Sequence, residues 1–160
     1  MLMQRYNLSI KVLVISIANP ILVGIYIDDK LVETIKEDGK TSDVLPMIFK
    51  IILNKYDIEE ILYVNGPGSF MAIKVAYIFL KTLSITNDIV LKASDGFSFN
   101  NNSPIKALAK KYFFKDENGK IELKLLEKDT IIEDFSLPNI LNLNNFSEDS
   151  LPNYNLPAVN

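Results

Sequence analysis

The chain has 160 residues, with 17 Lys and Arg against 20 Asp and Glu, a formal net charge of -3 and a pI near 5.0. Hydrophobic residues make up 48% and charged residues 23%, the balance of a globular chain with a real core. The acidic balance excludes a nucleic-acid surface spread over the whole molecule. Histidine and cysteine are both absent, which excludes Ser-His and Cys-His catalysis, thiolate chemistry, disulfides and metal sites built on those side chains. Any catalysis would rest on carboxylates, lysines, hydroxyls or backbone donors.

Met1 to Ser9 is polar and lacks the apolar core and small-residue cleavage site of a signal peptide. Lys74 and Lys81 interrupt the best run toward the roughly 18 apolar residues of a membrane span. A cytoplasmic chain with no membrane association is the expectation.

Residues 11–16 read as a buried strand, 21–27 as a second after Asn19-Pro20, and 31–36 as a third after the turn Asp28-Asp29-Lys30. Short connections make these an antiparallel meander, closed by Asp38-Gly39. Thr41, Ser42 or Asp43 can cap a helix running to about Tyr56, with Pro46 tolerated in its first turn. A strand at 60–64, a helix from 69 to about 83 and a strand at 89–93 follow. The order is βββαβαβ, which matches the ribonuclease-H-like, actin-like (ASKHA) α/β half-domain. Residues 10–95 form this lobe. Residues 96–135 are expected to form an abbreviated second lobe, with strands at 105–109, 112–114 and 120–126 and a hairpin turn at Asp116-Glu117-Asn118-Gly119. Residues 130–135 read as a short helix or strand, and 136–160 as an irregular tail.

Both helices are apolar nearly all round. On the second, Phe70, Ile73, Tyr77 and Leu80 share one face, Met71, Val75, Ile78 and Ile85 another, and Lys74 and Lys81 form the charged stripe. On the first, Leu45, Ile48, Phe49 and Ile52 belong to a similarly broad apolar surface. Two helices side by side on one sheet face bury one side each, and an apolar outer side needs cover. That cover is either the C-terminal tail or a protein partner. A partner interface is expected at Leu45, Ile48, Phe49, Ile52, Phe70, Ile73, Lys74, Tyr77 and Lys81, with no way to read which side faces outward.

The stretch Asn65-Gly66-Pro67-Gly68-Ser69-Phe70 joins the 60–64 strand to the second helix. Free N–H groups at a helix start can bind an anion, and Gly66 and Gly68 permit a tight bend. The stretch is neither the Walker nor the Rossmann pattern, so a phosphate cradle and a structural corner are both open, with the corner favoured. The first strand ends Ile15-Ser16-Ile17-Ala18-Asn19 with no carboxylate to hold magnesium. Asp95 reads as a turn residue with Gly96 in preference to a lone acid. Lys106, Lys110, Lys111, Lys115 and Lys120 form a local basic region that reads as a solvated face.

Gly66-Pro67-Gly68-Ser69-Phe70 followed by an apolar helix resembles the GPGSFTG segment of the TsaB (YeaZ) family. Val44-Leu45-Pro46-Met47-Ile48 is similar to that family's helix entry, and Leu151-Pro152-Asn153-Tyr154-Asn155-Leu156-Pro157-Ala158-Val159 to its Pro-x-Tyr-Leu-Arg tail. The resemblance covers residues 10–95 well and the rest thinly. Relatives usually carry Asp where Ser16 stands, Thr-Gly where Met71-Ala72 stand, and often Arg where Lys74 stands. The resemblance implies a non-catalytic subunit that binds and stabilises a TsaD-like catalytic subunit in making threonylcarbamoyladenosine at position 37 of tRNA. A TsaE-like ATPase would join the assembly, ATP or ADP and metal would sit on the partners and not on this chain, and tRNA contact would be indirect or weak. A homodimer through the same helices is also open. The rivals are a small ATP-binding phosphotransfer enzyme of the actin and sugar-kinase group, and a homodimeric scaffold with an unrelated partner.

Overall fold

The computed structural model describes residues 8–155. Three strands, β1 (Ser9–Ile15), β2 (Ile21–Ile27) and β3 (Lys30–Glu37), form the expected meander, and α1 (Thr41–Lys55), β4 (Asp57–Val64), α2 (Phe70–Asn87) and β5 (Val90–Ser94) complete the βββαβαβ order. The five strands lie in one sheet in the order β3-β2-β1-β4-β5. β1 pairs antiparallel with β2 and β2 with β3, whereas β1, β4 and β5 are parallel. Two antiparallel steps restore direction, so β3 points the same way as β1. The chain therefore enters α1 and α2 from the sheet end at which β1 also exits, and the two helix N-termini meet the β1–β2 connection there.

Strands buried on both faces read as nearly continuous apolar runs, and period-two alternation sorts their side chains. Val12, Val14, Val23 and Ile61 face the helices and pack with Leu45, Ile48, Phe49, Ile52, Ala76 and Leu80. Leu13, Ile15, Leu22, Leu62 and Val64 face the other way and pack with Phe97, Ile105, Phe113 and Leu141 from the later part of the chain. Paired charges close one end of this second face. Lys11 donates to Asp29 at 2.7 Å, a bond that holds the Lys11 ammonium above its usual range, and Lys92 reaches the buried Glu60 at 2.7 Å.

A short 3-10 turn at Gly96–Phe99 leads into a small antiparallel sheet, β6 (Ile105–Lys106), β7 (Lys111–Lys115) and β8 (Ile121–Leu125). The hairpin turn is where the sequence places it. Asp116 Oδ1 accepts from the N–H of Asn118 and of Lys120, and Gly119 takes φ +81. β6 is shorter than the expected 105–109 because the chain turns at once, with Lys111 N–H donating to Leu108 C=O and Ala109 at φ 56. Residues 130–135 form neither helix nor strand.

The tail is irregular but anchored throughout its described part. Pro138 C=O accepts from Tyr26 O–H, Leu31 N–H donates to Asn139, and Leu141 N–H donates to Asp29. Leu137 and Leu141 lie on the second sheet face, and Ser147 exchanges two backbone hydrogen bonds with Ala93 on the edge strand β5. The tail thus crosses the face opposite the helices and blunts the β5 edge. Its described part reaches the helices at Tyr154, beside Phe70, and leaves Met71, Ile78 and Ile85 exposed, so among the described residues it does not give the outer side of α2 the cover expected of it.

Three boundaries also differ from the sequence reading. The N-cap of α1 is Lys40, which makes no side-chain cap, so Thr41, Ser42 and Asp43 lie inside the helix. β4 starts at Asp57, where pairing with Ser9 extends the ladder. α2 runs to Asn87, where Thr86 and Asn87 side chains bond back to carbonyls of the preceding turn and Asp88 closes the helix in the left-handed conformation. α2 is long and apolar enough to cross a membrane by length and composition. In the fold its Ile73, Ala76 and Leu80 side is buried, Ala76 and Leu80 in the helix-side core and Ile73 with Leu62 and Val64 in the second cluster.

Candidate functional site

Ser69 begins α2 as its N-cap, and its hydroxyl accepts weakly from Ala72 N–H at 3.5 Å. The turn before it is clasped by the tail. Asn65 C=O accepts from Asn153 N–H at 2.8 Å, and Asn65 Nδ2 donates to Leu151 C=O at 2.9 Å. Gly66 has φ +132, and a β-carbon there would run into the Asn153 carbonyl. Its own carbonyl accepts from Gly96 N–H at 2.9 Å. Gly66, Pro67 and Gly68 are buried. A turn whose polar groups and close approaches are taken up this way is a structural corner.

Phe70 and Lys74 stand beside this corner. The Phe70 ring lies 4.4 Å from that of Tyr154, and Lys74 Nζ sits 5.9 Å from the Phe70 ring centre. Tyr154 is therefore the tail residue that touches the start of α2; Leu156 to Val159, also part of the tail resemblance, lie outside the described residues.

Five of the expected interface residues belong to the core. Leu45, Ile48, Phe49, Ile52 and Ile73 are all within 2% of complete burial, packed beneath the helices and not on their outer side. Their place on the partner surface is corrected, because the apolar side that docks on a sheet is unavailable to anything else. Tyr77 and Lys81 are half-buried, with Tyr77 stacked on Tyr63 at 6.4 Å. The outward apolar stripe is the other face of α2: Met71 is 64% exposed, Ile78 55% and Ile85 71%, with Val75 half-buried between them. On α1, Met47 and Ile51 are exposed one turn apart. The sequence placed Met71, Val75, Ile78 and Ile85 on one helix face but carried no signal for which face the sheet would take.

A cleft of about 460 Å³ opens at the end of β1, between the N-termini of α1 and α2. Ser16 lies at its floor, with Lys40, Thr41 and Ser42 on one side and Ser69 and Met71 on the other. A second cleft of about 400 Å³ separates the β1–β2 turn from the small sheet; Lys36, Lys106, Glu133 and Asp134 mix charges along it.

The remaining candidates have structural partners. Asp95 Oδ1 accepts from Phe97 N–H at 2.9 Å and its Oδ2 from Lys115 at 2.6 Å, the turn role expected of it. Lys115 and Lys120 of the basic region are thus paired, Lys120 with Glu122 at 3.3 Å, while Lys106, Lys110 and Lys111 are exposed. Among the described residues no group of three or more Asp or Glu converges as a metal site would.

Two solved structures share this architecture. YeaZ from Pseudomonas aeruginosa superposes with a TM-score of 0.58 at 12% identity, over 78% of this chain and 66% of that one. An uncharacterized protein with similarity to peptidase YEAZ from Pseudomonas aeruginosa superposes with a TM-score of 0.55 at 14% identity, over 72% of this chain and 63% of that one. The chain spans just under two thirds of the length of each. No family model and no curated protein matches by sequence. The chain has the YeaZ fold, as the GPGSF resemblance implied.

Proposed function

We propose that this chain is a TsaB (YeaZ)-type non-catalytic subunit that binds and stabilises a TsaD-like catalytic subunit in making threonylcarbamoyladenosine at position 37 of tRNA. Residues 10–95 are its actin-like lobe and 96–135 a reduced second lobe. The observation that carries the reading is the outward stripe Met71, Val75, Ile78 and Ile85 on α2, flanked by Met47 and Ile51 on α1. Large apolar side chains in a row on a helix are the ordinary foundation of a protein interface. The shared fold and the GPGSF corner that launches α2 support the family reading. In this assembly ATP or ADP and metal sit on the TsaD-like and TsaE-like partners, and tRNA contact by this chain is indirect.

Co-expression with a TsaD-type subunit tests the reading. The pair copurifies and supports modification of tRNA, and the double substitution Met71→Glu with Ile78→Glu abolishes copurification while the variant keeps its circular dichroism spectrum. Copurification that survives both charges would remove the interface assignment. The same stripe also suits a homodimer, because an unpaired apolar surface can pair with itself. Light scattering of the chain alone reports that state, and the charged variant is monomeric if the stripe makes the dimer.

A further inference from the structure

The cleft at the end of β1 has the composition of an anion site. The chain enters α1 and α2 from the same sheet end, so both helices, of 15 and 18 residues, turn their N-termini to it. First-turn N–H groups have no acceptor within their own helix, and they carry the positive end of the helix dipole. On α2 Ser69 Oγ takes Ala72 N–H at 3.5 Å, and on α1 Lys40 provides no side-chain cap.

Ser16 supplies the independent observation. It is 3% exposed, and its Oγ has no hydrogen-bond partner among the described residues. Alternation along β1 continues past Val12 and Val14 to place Ser16 on the helix side, at the floor of the cleft. A buried hydroxyl without a partner costs stability, and native folds usually supply one. Thr41, Ser42 and Ser69 bring further hydroxyls and Lys40 a cation; among the described residues no Asp or Glu lines the cleft, although Asp43 stands in the first turn of α1. Donors on several sides with no carboxylate favour a tetrahedral oxyanion and disfavour a metal ion.

We infer that this cleft binds a phosphate group, with the Ser16 hydroxyl and the opening N–H groups of α1 and α2 around its oxygens and Lys40 at the rim. Met71 and Val75 give the apolar wall against which the organic part of a phosphate monoester would lie. Met71 and Val75 also belong to the outward stripe of the proposed partner surface, so a docked partner would share this wall, and phosphate binding is read on the chain alone.

Titration of the ¹⁵N-labelled 160-residue chain with inorganic phosphate, and separately with ribose 5-phosphate, tests it against sodium chloride at equal ionic strength. Both phosphates give saturable shifts of the Thr41, Ser42, Phe70 and Met71 amides that chloride does not. Tighter binding of the ester identifies a phosphorylated small molecule, and equal binding identifies free phosphate. Ser16→Ala weakens binding at least tenfold and Lys40→Ala severalfold. Without phosphate, Ser16→Ala is at least as stable as the parent, since it deletes an unsatisfied hydroxyl, and phosphate no longer raises its melting temperature. Shifts that chloride reproduces, or unchanged affinity in Ser16→Ala, would overturn the site.

Discussion

Gly66 lies directly beneath the backbone carbonyl of Asn153, so close that a β-carbon on Gly66 would overlap its oxygen. The corner that begins α2 and the C-terminal tail are consequently one structure. A side chain at 66 must either displace the tail or distort the turn, in a backbone conformation (φ +132) that L-residues rarely adopt. Gly66→Ala should lose about 3 kcal/mol in urea denaturation and raise amide exchange over residues 150–155. Gly119→Ala is the comparison, since nothing lies within 4 Å of its β-carbon position. Left-handed strain alone should cost it about 1 kcal/mol, with no change in tail exchange.

Tyr63 donates its phenol to Ser150 C=O from beside the same corner. Tyr63→Phe keeps the ring and its stack on Tyr77 but leaves a buried carbonyl without that donor. A loss of about 1–2 kcal/mol is expected, together with faster exchange confined to the tail. Equal exchange in the variant and parent would show that Ser147 and Asn153 hold the tail without Tyr63.

Alkaline pH should loosen the fold. Burial pushes the phenols of Tyr26 and Tyr63 well above their ordinary value of 10.0, and the bond to Asp29 raises Lys11 above 10.5. All three shifts favour the protonated form in the fold. Their stabilisation is complete below the unfolded values and is lost as pH rises through the folded ones. Urea midpoints should hold steady to about pH 9.5 and fall above about pH 10. The combined Tyr26→Phe and Tyr63→Phe variant should show a shallower fall, and an unchanged slope would assign the transition to other groups.

The two sides of α2 should respond in opposite ways to charge. Ile73→Glu buries a carboxylate in the core and should cost about 4 kcal/mol or more, leaving little folded protein. Ile78→Glu on the outward stripe should change the stability of the lone chain by under about 0.5 kcal/mol. Thermal melts of the two variants separate the core face from the surface face without requiring a partner.

Asp95 both caps the 3-10 turn and binds Lys115, joining β5 to the small sheet. Asp95→Asn should retain the cap and lose at most about 1 kcal/mol, as both charges are partly solvated. Asp95→Ala should lose about 2 kcal/mol because the cap goes too. Equal losses in the two variants would show that the ion pair, and not the cap, carries the contribution.

The sequence by itself determined the element order, because apolar period and turn chemistry are local. Ile21–Ile27 is bounded by Pro20 and the Asp28-Asp29 turn, and the Asp116–Gly119 hairpin is written in its own residues. It also marked the Gly66–Phe70 corner and two helices with too much apolar surface for one interface. Which surface faces out was decided by the tertiary structure alone. Ile73 and Met71 are both large and apolar, and only the docking of α2 on β4 and α1 buries the first and exposes the second. The anchoring of the tail to Asn65 and Tyr63 was equally invisible, since hydrogen bonds to backbone groups more than eighty residues away leave no periodicity. The partnerless hydroxyl of Ser16 belongs to the same class: a serine at the end of a strand is unremarkable until two helix N-termini close over it.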